Sequence, residues 1–478
     1  MTETMPRVLV AISGVFPSTV INVAKPLLRL HEAGAIDLDL TLHCTVRRKQ
    51  IACADVLVMS HMIDPAHVWI LDCAREAGTP LLYDIDENLL EPPPDVPGLD
   101  FHRAPERQAA VRRCLQQAVL VRTYAPALKR YLEPFNATIA RVDGPIDWRL
   151  IPKHLNARTS NRVHIVYATS RLQDSIGGAL VVPLRRVLEE HADVDVTIWG
   201  PRLPGLDGYP RVRFREFVRD YDRYFEQFAR VGFDIGLAPM PDDLWHECKT
   251  ATKFREYAAC RITGIYSDTE VYRDCVTDGV TGLLVPPNEE AWVAAMGRLI
   301  GDAALRRQIQ ERAEAYARER YAPGRMERDW LTHICRASLS RSASLAGERP
   351  SARGPSFSGE RERPTSRAST SPFAVAVGIA RQVLRYASRV PSLLRSGGVK
   401  EVWVRTRAQV AGLRQLMEWE FALWRIQRQQ SRETLRGVRL QTSRSVRLQA
   451  DQDPRGVRLL ADQDPRSVRL QADRDRLP

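Results

Sequence analysis

The first 148 residues alternate short apolar runs with longer segments whose apolar positions recur at helical spacing. The runs are almost continuously apolar, which predicts strands of a parallel sheet covered on both faces. The expected strands are Val8–Ser13, Leu38–His43, Val56–Ser60, Leu81–Asp84, Val119–Arg122 and Ile139–Val142. Between them, Val20–His31 and Pro65–Ala77 have the pattern of amphipathic helices, and each is followed by a glycine typical of a helix end. This alternation predicts a Rossmann-like unit.

The same alternation begins again after Pro145 and a polar connector. The expected strands are Val163–Tyr167, Val194–Trp199, Val212–Phe214, Ile235–Ala238, Ile262–Ser267 and Leu283–Val285. The expected helices are Leu180–His191, Tyr221–Ala229, Lys253–Ala259, Glu289–Ile300 and Ala303–Arg320. Two such units in tandem predict a cleft between the carboxyl ends of two parallel sheets, where α/β proteins bind their ligands.

Charge separates the two units from the rest of the chain. Residues 336–478 hold 28 Lys and Arg against 13 Asp and Glu, a net charge of +15 within a chain total of +12, so the remainder has a net charge of −3. The sequence therefore predicts an N-terminal domain at 1–150 and a second domain at 151–337. A disordered Ser/Arg/Pro/Gly-rich linker at 338–372, a basic amphipathic helical region at 373–435 and disordered short repeats at 436–478 follow.

The tail suggests a partner of its own. Aromatic and aliphatic residues lie among the arginines of 373–435, a composition that fits an amphipathic helix on an anionic membrane surface. Nucleic acid is less favoured, because no folded reader motif is present and the terminal repeats mix acids with bases. The remaining interpretation is that the tail is a helical extension that binds a protein partner or has no function of its own.

Cysteine usage and the amino terminus indicate the compartment. The eight cysteines form no CxxC pair and no zinc-like cluster with histidine, so we expect neither disulfides nor a structural metal. Glu3, Pro17 and Asn22 interrupt the pattern of a secretion signal, and the longest apolar stretch of the tail, Phe373–Ala380, is too short to span a bilayer. We expect a cytoplasmic protein, peripheral on the inner face of the plasma membrane if the tail binds lipid.

Most of the candidate ligand-binding residues follow the predicted strand Ile235–Ala238. A polar loop leads there into a helix that we expect to begin near Thr250 or Ala251, so free backbone N–H groups create an anion site above the sheet. Lys249 and Lys253 suit a diphosphate, and Glu256 can accept hydrogen bonds from two ribose hydroxyls. An ordinary helix with solvated lysines is the alternative.

This block, Lys249-Thr-Ala-Thr-Lys253-Phe-Arg-Glu256-Tyr-Ala-Ala, with the later Asp278-Gly-Val-Thr-Gly-Leu-Leu-Val, resembles the retaining GT-B glycosyltransferases of group 1, or family 4, in a divergent branch. The resemblance covers 163–330 well and 7–150 more loosely. It implies the α/β GT-B fold, two Rossmann-like domains facing across a cleft, with the acceptor on the first and a nucleotide-sugar donor on the second. It requires neither a metal nor a separate cofactor.

The resemblance also implies donor-binding residues: Arg171, Lys249, Thr250, Lys253 and Glu256. Arg171 belongs to Ser170-Arg171-Leu172, which is similar to a Gly-Arg-Leu turn whose arginine contacts the diphosphate in the family.

One position departs from the family pattern. The family has a second glutamate, which contacts the donor sugar and would fall at 248, where this chain has Cys248 beside Glu247. Either Glu247 replaces it, or Lys249 and backbone amides contact the sugar. We favour the second interpretation.

Acidic residues also follow the predicted strand Leu81–Asp84, in Tyr83-Asp-Ile-Asp-Glu-Asn. We expect Asp84, Asp86 or Glu87 to face the cleft as catalytic groups where an acceptor hydroxyl approaches, with capping of the following loop as the structural alternative. The pair Asp84 and Asp86 lacks a third ligand nearby in sequence, so a metal site is not indicated. His61, His102 and His246 are interpreted as ordinary loop residues.

The sequence therefore predicts a glycosyltransferase that moves a sugar from a nucleotide-sugar to a hydroxyl of a glycan or lipid-linked acceptor, in cell-surface polysaccharide or glycan biosynthesis. Retention of the anomeric configuration is implied by the resemblance alone. The alternative is a catalytically inactive scaffold of the same fold in a polysaccharide assembly complex.

Overall fold

The computed structural model describes residues 5–62, 64–94, 99–152, 162–170, 175–200, 202–347, 418–419 and 421–429. These residues contain two six-stranded sheets, and every strand pair in both sheets is parallel. Among the described helices, none combines the length and the apolar character needed to cross a bilayer.

The first sheet has the strand order β2-β1-β3-β4-β5-β6. Its strands are β1 (Arg7–Ile12), β2 (Asp37–Leu42), β3 (Val56–Ser60), β4 (Leu81–Asp84), β5 (Leu120–Thr123) and β6 (Ile139–Arg141). Its helices are α1 (Pro17–Thr19), a π-helical turn (Val20–Ala24), α2 (Lys25–Glu32), α3 (Arg48–Cys53), α4 (Trp69–Glu76), α5 (Pro105–Gln117) and α6 (Pro126–Leu132). The chain leaves β1 for β2 on one side and then returns to β3 on the other, so the carboxyl ends of β1 and β3 flank the crevice where such sheets bind ligands.

The second sheet has the order β12-β11-β10-β7-β8-β9. Its strands are β7 (Val163–Ala168), β8 (Val194–Gly200), β9 (Val212–Glu216), β10 (Ile235–Ala238), β11 (Thr263–Ser267) and β12 (Leu283–Val285). Its helices are α7 (Ser175–Gly178), α8 (Val181–Glu190), α9 (Tyr221–Val231), α10 (Leu244–Glu247), α11 (Thr252–Ala259), α12 (Glu270–Arg273), α13 (Glu289–Gly301) and α14 (Ala303–Arg320). Here the corresponding crevice lies between β7 and β10.

All twelve predicted strands are present, most of them within one residue of the expected ends, and the expectation of two parallel α/β units is confirmed. Several strands are recognisable because they are buried from end to end; β3, β4, β10 and β11 are examples. Helix α5 was not expected, because only four of its thirteen residues are buried and the rest of its sequence is polar.

The last helix, α15 (Arg325–Gly347), follows the second sheet but packs against the first. Its Trp330 is fully buried, and the indole Nε1–H donates to the backbone oxygen of Asn22 at 2.8 Å. The guanidinium of Arg122, itself fully buried at the end of β5, lies 3.7 Å from the Trp330 ring. The first sheet is therefore completed by residues that we assign from the sequence to the second domain.

The same helix extends ten residues into the segment 338–372 that the sequence predicts as a disordered linker. Arg341 holds it in place, since its guanidinium donates to the backbone oxygens of Ala54 and, at 3.2 Å, Ala52. These carbonyls lie at the end of α3, where backbone oxygens lack helical partners. The linker therefore begins no earlier than Gly347, which corrects the predicted boundary at 338.

In the tail, residues 418–419 and 421–429 are helical, within the region 373–435 where we expect helix. The remainder of that region, the linker after Gly347 and the repeats at 436–478 lie outside the described residues.

Candidate functional site

A cavity of about 380 Å³ lies between the carboxyl ends of the two sheets. The second half contributes the ends of β7, β8 and β10 and the start of α11, together with aromatic residues of α9. The first half contributes a smaller set: Pro17, Ser18, Ile21, Asn22, Asp86 and Glu87. Both crevices of the fold therefore open into one space, which is of the size that small ligands occupy.

The N-terminus of α11 lies at this cavity. The helix begins at Thr252, one or two residues later than expected, and its N-cap residue Ala251 provides no side-chain hydrogen bond to the first turn. Thr250, Thr252 and Lys253 line the cavity, and the hydroxyls of the two threonines are 2.8 Å apart. An uncapped helix N-terminus next to a lysine is a favourable environment for phosphate.

Glu256, one turn further along α11, is buried at the cavity wall with 2% of its surface exposed. Its Oε2 accepts hydrogen bonds from Lys253 Nζ at 2.6 Å and from the Tyr224 hydroxyl at 3.3 Å. These contacts fix the carboxylate in one orientation. A carboxylate oriented in this way at a cavity wall can accept hydrogen bonds from ligand hydroxyls.

Lys249 connects the two halves of the site. Its ammonium forms an ion pair with Glu87 from the loop after β4, and it lies 3.6 Å from the centre of the Trp245 ring. Burial alone would raise the pKa of Glu87, but the adjacent Lys249 lowers it below the ordinary value. The Glu87 carboxylate is therefore ionised, and the lysine that we expect to bind the diphosphate is held by this first-half residue.

Asp86, the neighbour of Glu87 on the cavity wall, forms an ion pair with His61 Nε2. Burial by itself would lower the pKa of His61, but the Asp86 carboxylate outweighs it and raises that pKa to about 9. The imidazole Nδ1 lies 3.1 Å from the Ser60 hydroxyl. His61 has a backbone φ of 51°, a left-handed conformation uncommon outside glycine. This histidine is a charged part of the site, which corrects its interpretation as an ordinary loop residue.

Asp84 does not line the cavity, so the expectation that it faces the cleft is wrong. β4 continues through Asp84, which is 1% exposed and accepts a hydrogen bond from the Tyr124 hydroxyl at 2.7 Å. Arg122 Nε lies 3.5 Å from the same carboxylate. Burial raises the pKa of Asp84 to about 6, although Arg122 opposes the shift. β4 ends at Asp84. Of the three predicted carboxylates, Asp86 and Glu87 in the loop after the strand are the two that line the cavity.

The departure from the family pattern at position 248 has a structural counterpart. Cys248 is fully buried in the core of the first half, and burial raises its thiol pKa to about 12. Glu247 does not line the cavity, whereas Lys249 does. Of these two residues, Lys249 is therefore the one that faces the cavity, and its contact with the sugar stays a prediction.

Of the other predicted residues, Arg171 lies outside the described part of the chain. His102 and His246 are not on the cavity wall, and His246 Nδ1 is 2.6 Å from Asp243 in its own helical turn. Within the described residues, no group of three or more His, Cys, Asp or Glu side chains is arranged to hold a metal ion.

Several residues of the site were not predicted from the sequence, among them Asn22 and Tyr224, which line the cavity, and His61. Tyr224 belongs to a strongly amphipathic helix, where an aromatic residue is expected in the core. Asn22 carried a usable signal, since a polar residue interrupts the apolar run Val20–Ala24.

Two tail residues reach the rim of this site. The Trp419 and Phe16 rings pack edge to face with centroids 5.5 Å apart, and Glu418 is 3.4 Å from Arg219. Phe16 precedes Pro17, and Arg219 follows Val218, both of which line the cavity. Trp419 and Glu418 thus contact the rim of the cavity on both of its halves.

Comparison with known proteins agrees with this architecture. Residues 168–302 match the family model described as glycosyl transferases group 1. No curated protein matches the chain. Sucrose-phosphate synthase from Thermosynechococcus elongatus has 13% sequence identity and a TM-score of 0.53, over 72% of this chain and 100% of that one. The Anabaena protein Alr3699/HepE, crystallised with UDP, has 14% identity and a TM-score of 0.49 over the same shares.

The order of strands, the facing crevices and the family match converge on one architecture. The two parallel sheets have the GT-B fold that the resemblance implied. The matched segment contains β8 to β12 and all the described donor-site residues from Lys249 to Glu256. Residues 168–302 are thus similar to the group 1 glycosyltransferase model, and the two sheets together have the GT-B fold.

Proposed function

We propose that this protein transfers a sugar from a nucleotide-sugar to an acceptor hydroxyl, with the donor on the second half and the acceptor on the first. One observation carries the proposal. The uncapped start of α11, Lys249, Lys253 and Glu256 share one cavity with two ionised carboxylates from the opposite sheet.

The donor side supplies groups for each part of a nucleoside diphosphate. The N–H groups at the start of α11 and the two lysines bind the diphosphate, and Glu256 accepts hydrogen bonds from the ribose hydroxyls. Negative charge accumulates on the diphosphate as the sugar leaves, so fixed cations and dipoles there stabilise the transition state more than the ground state. Arg171 adds a further cation in this proposal, as the resemblance implies.

The acceptor side supplies Asp86 and Glu87. Burial raises the pKa of each carboxyl, but His61 beside Asp86 and Lys249 beside Glu87 lower it below the ordinary value, so both are ionised at neutral pH. In our proposal an ionised carboxylate accepts a hydrogen bond from the acceptor hydroxyl and orients it toward the anomeric carbon. When the diphosphate binds Lys249, it takes the place of Glu87 and releases that carboxylate to the acceptor.

Retention of configuration and membership of the divergent family 4-like branch belong to the same proposal, as does a role in cell-surface polysaccharide or glycan synthesis. They rest on the sequence resemblance. The stereochemical part is tested by NMR of the product formed from an α-linked donor, where an α-linked product is expected.

The donor site is tested by thermal stabilisation of the full chain with UDP, GDP, dTDP, CDP and their sugar conjugates. We expect a shift selective for one base, present in wild type and abolished in Glu256→Ala. Glu290→Ala is the matched control, because Glu290 pairs with Arg186 on the protein surface away from the cavity. The absence of a shift with every nucleotide would refute the proposal.

A second candidate function, an inactive scaffold in a polysaccharide assembly, is favoured by one observation: Cys248 is buried where the family has its sugar-binding glutamate. The two candidates make opposite predictions in cells. A Glu256→Ala chain that retains full biological activity supports the scaffold, and loss of activity with normal protein levels supports the transferase.

For the tail we propose peripheral attachment to an anionic membrane on its cytoplasmic face. The proposal rests on the aromatic and basic composition of 373–435. Sedimentation with phosphatidylserine-containing vesicles, comparing the full chain with a chain ending at Gly347, should show salt-sensitive binding of the full chain only. Equal binding of both chains would contradict it.

A further inference from the structure

The helix after β1 contains an irregular turn beside the cavity. Val20–Ala24 form a π-helical turn between α1 and α2, and the N–H of Lys25 donates to the backbone oxygen of Val20, five residues earlier. Pro26 adds a second irregularity, because a regular α-helix needs an N–H at position 26 for the oxygen of Asn22, and proline has none. Such turns are frequent at functional sites.

The backbone oxygen left without this partner is satisfied from another part of the chain. The buried indole of Trp330 in α15 donates to the oxygen of Asn22 at 2.8 Å. Residue 22 is therefore held from two sides, by its own helical turn and by a tryptophan more than 300 residues away. A side chain on such a rigid support is well placed for recognition.

The side chain of Asn22 is itself incompletely satisfied. Asn22 is 3% exposed and lines the cavity, yet its Oδ1 is buried without a hydrogen-bond partner. Ser18 and Asp86, both polar, lie on the same wall of the cavity. A buried carboxamide oxygen without a partner is costly, and a ligand that donates a hydrogen bond to it removes this cost.

We propose that Asn22 is a specificity-determining residue whose carboxamide binds a hydroxyl group of a sugar held in the cavity. The inference rests on the proposed function, since it assumes that a sugar occupies the cavity. A carboxamide both accepts and donates, which matches a hydroxyl group better than it matches a phosphate oxygen or an apolar group. The hydroxyl belongs either to the donor sugar or to the acceptor.

Thr19 provides a matched control within the same helix. Its hydroxyl is also buried without a partner, but Thr19 does not line the cavity. Asn22→Leu and Thr19→Val each replace an unpartnered polar group by an apolar group of similar size. Only the first should affect ligand binding if the cavity, and not burial alone, gives Asn22 its role.

The experiment has two arms, both on the full chain. In the first arm, calorimetry measures the affinity for UDP, GDP, dTDP and CDP and for UDP-glucose, GDP-mannose, dTDP-glucose and CDP-glucose. In the second arm, the donor is saturating and KM is measured for a panel of octyl glycosides as acceptors. If the donor sugar supplies the hydroxyl, Asn22→Leu weakens binding of the conjugate about tenfold and leaves the bare nucleotide unchanged. If the acceptor supplies it, KM rises about tenfold instead.

Several results overturn the inference. Unchanged donor affinity and unchanged acceptor KM in Asn22→Leu mean that the carboxamide contacts no ligand hydroxyl. An equal loss of affinity, or an equal rise in KM, in Thr19→Val means that the effect comes from a change in the helix and not from a contact in the cavity. Equal weakening of bare nucleotide and conjugate excludes a sugar contact. If the wild-type chain binds nucleotides but Asn22→Leu behaves as wild type, this inference alone fails, whereas absence of all binding by the wild type refutes the proposed function as well.

Discussion

The ion pair between His61 and Asp86 makes the charge of one histidine a measurable property of the site. Removing the carboxylate with Asp86→Asn leaves the imidazole buried with its main anionic partner gone. Since burial acts to lower the pKa of His61, we expect that pKa to fall from about 9 by at least about one unit in the variant. The cavity would then contain a neutral imidazole in place of a cation near neutral pH.

The magnitude follows from the raised pKa. A rise from the ordinary value of 6.5 to about 9 corresponds to about 3 kcal/mol of stabilisation at 1.36 kcal/mol per unit. A raised histidine pKa stabilises the folded state most fully below pH 6.5, and this contribution disappears as the pH rises through about 9. The folded protein should therefore lose this increment between neutral and alkaline pH.

The assay is NMR titration of the histidine side chains in ¹⁵N-labelled protein, for wild type and Asp86→Asn. Thermal unfolding of His61→Asn at several pH values gives the stability, because asparagine tolerates the left-handed backbone at this position and removes the titrating imidazole without straining the backbone. The wild type should exceed His61→Asn in stability at pH 6 and lose that advantage near pH 10. A wild-type His61 pKa at or below 6.5, or one that Asp86→Asn does not change, would refute the reasoning.

Three further substitutions test other parts of the structure. Pro26→Ala restores an N–H that competes with Trp330 for the oxygen of Asn22; we expect weaker sugar binding without loss of stability, measured by calorimetry and thermal unfolding. Trp330→Phe leaves that oxygen unsatisfied and should destabilise the protein by about 1–3 kcal/mol, measured by denaturant titration. Gly236→Ala places a Cβ 2.5 Å from the buried Tyr257 ring and should cost about 1–3 kcal/mol in the same titration; a cost near zero would contradict the close packing.

The sheets were predictable because each strand is recognisable from its own sequence. Buried parallel strands are apolar along their whole length, and this property is visible in five or six residues. Helix α15 was not predicted for the opposite reason. Its contacts with the first half include those of Trp330 and Arg341, and nothing local indicates that partners more than 200 residues earlier bind them.

The candidate site was predictable where its chemistry is local. Lys249, Lys253 and Glu256 are close in sequence, and the structure places all three on one cavity wall. The failures came from geometry that sequence does not contain. Asp84 was expected at the cleft because it stands at the carboxyl end of β4, but its side chain is buried against Tyr124 and Arg122. His61 was passed over because its partner Asp86 lies on a neighbouring strand's loop.

The return of α15 to the first sheet has a consequence for how the chain is made. Trp330 and Arg341 leave the ribosome only after the whole second sheet, so the first half is synthesised early but cannot complete its core until the end. During that interval Arg122 lacks the indole it stacks on, and the backbone oxygen of Asn22 lacks its donor. The second half can therefore finish folding first, and a fragment ending near residue 150 should be poorly stable by itself. The core of the first half is thus completed only when α15 has been synthesised.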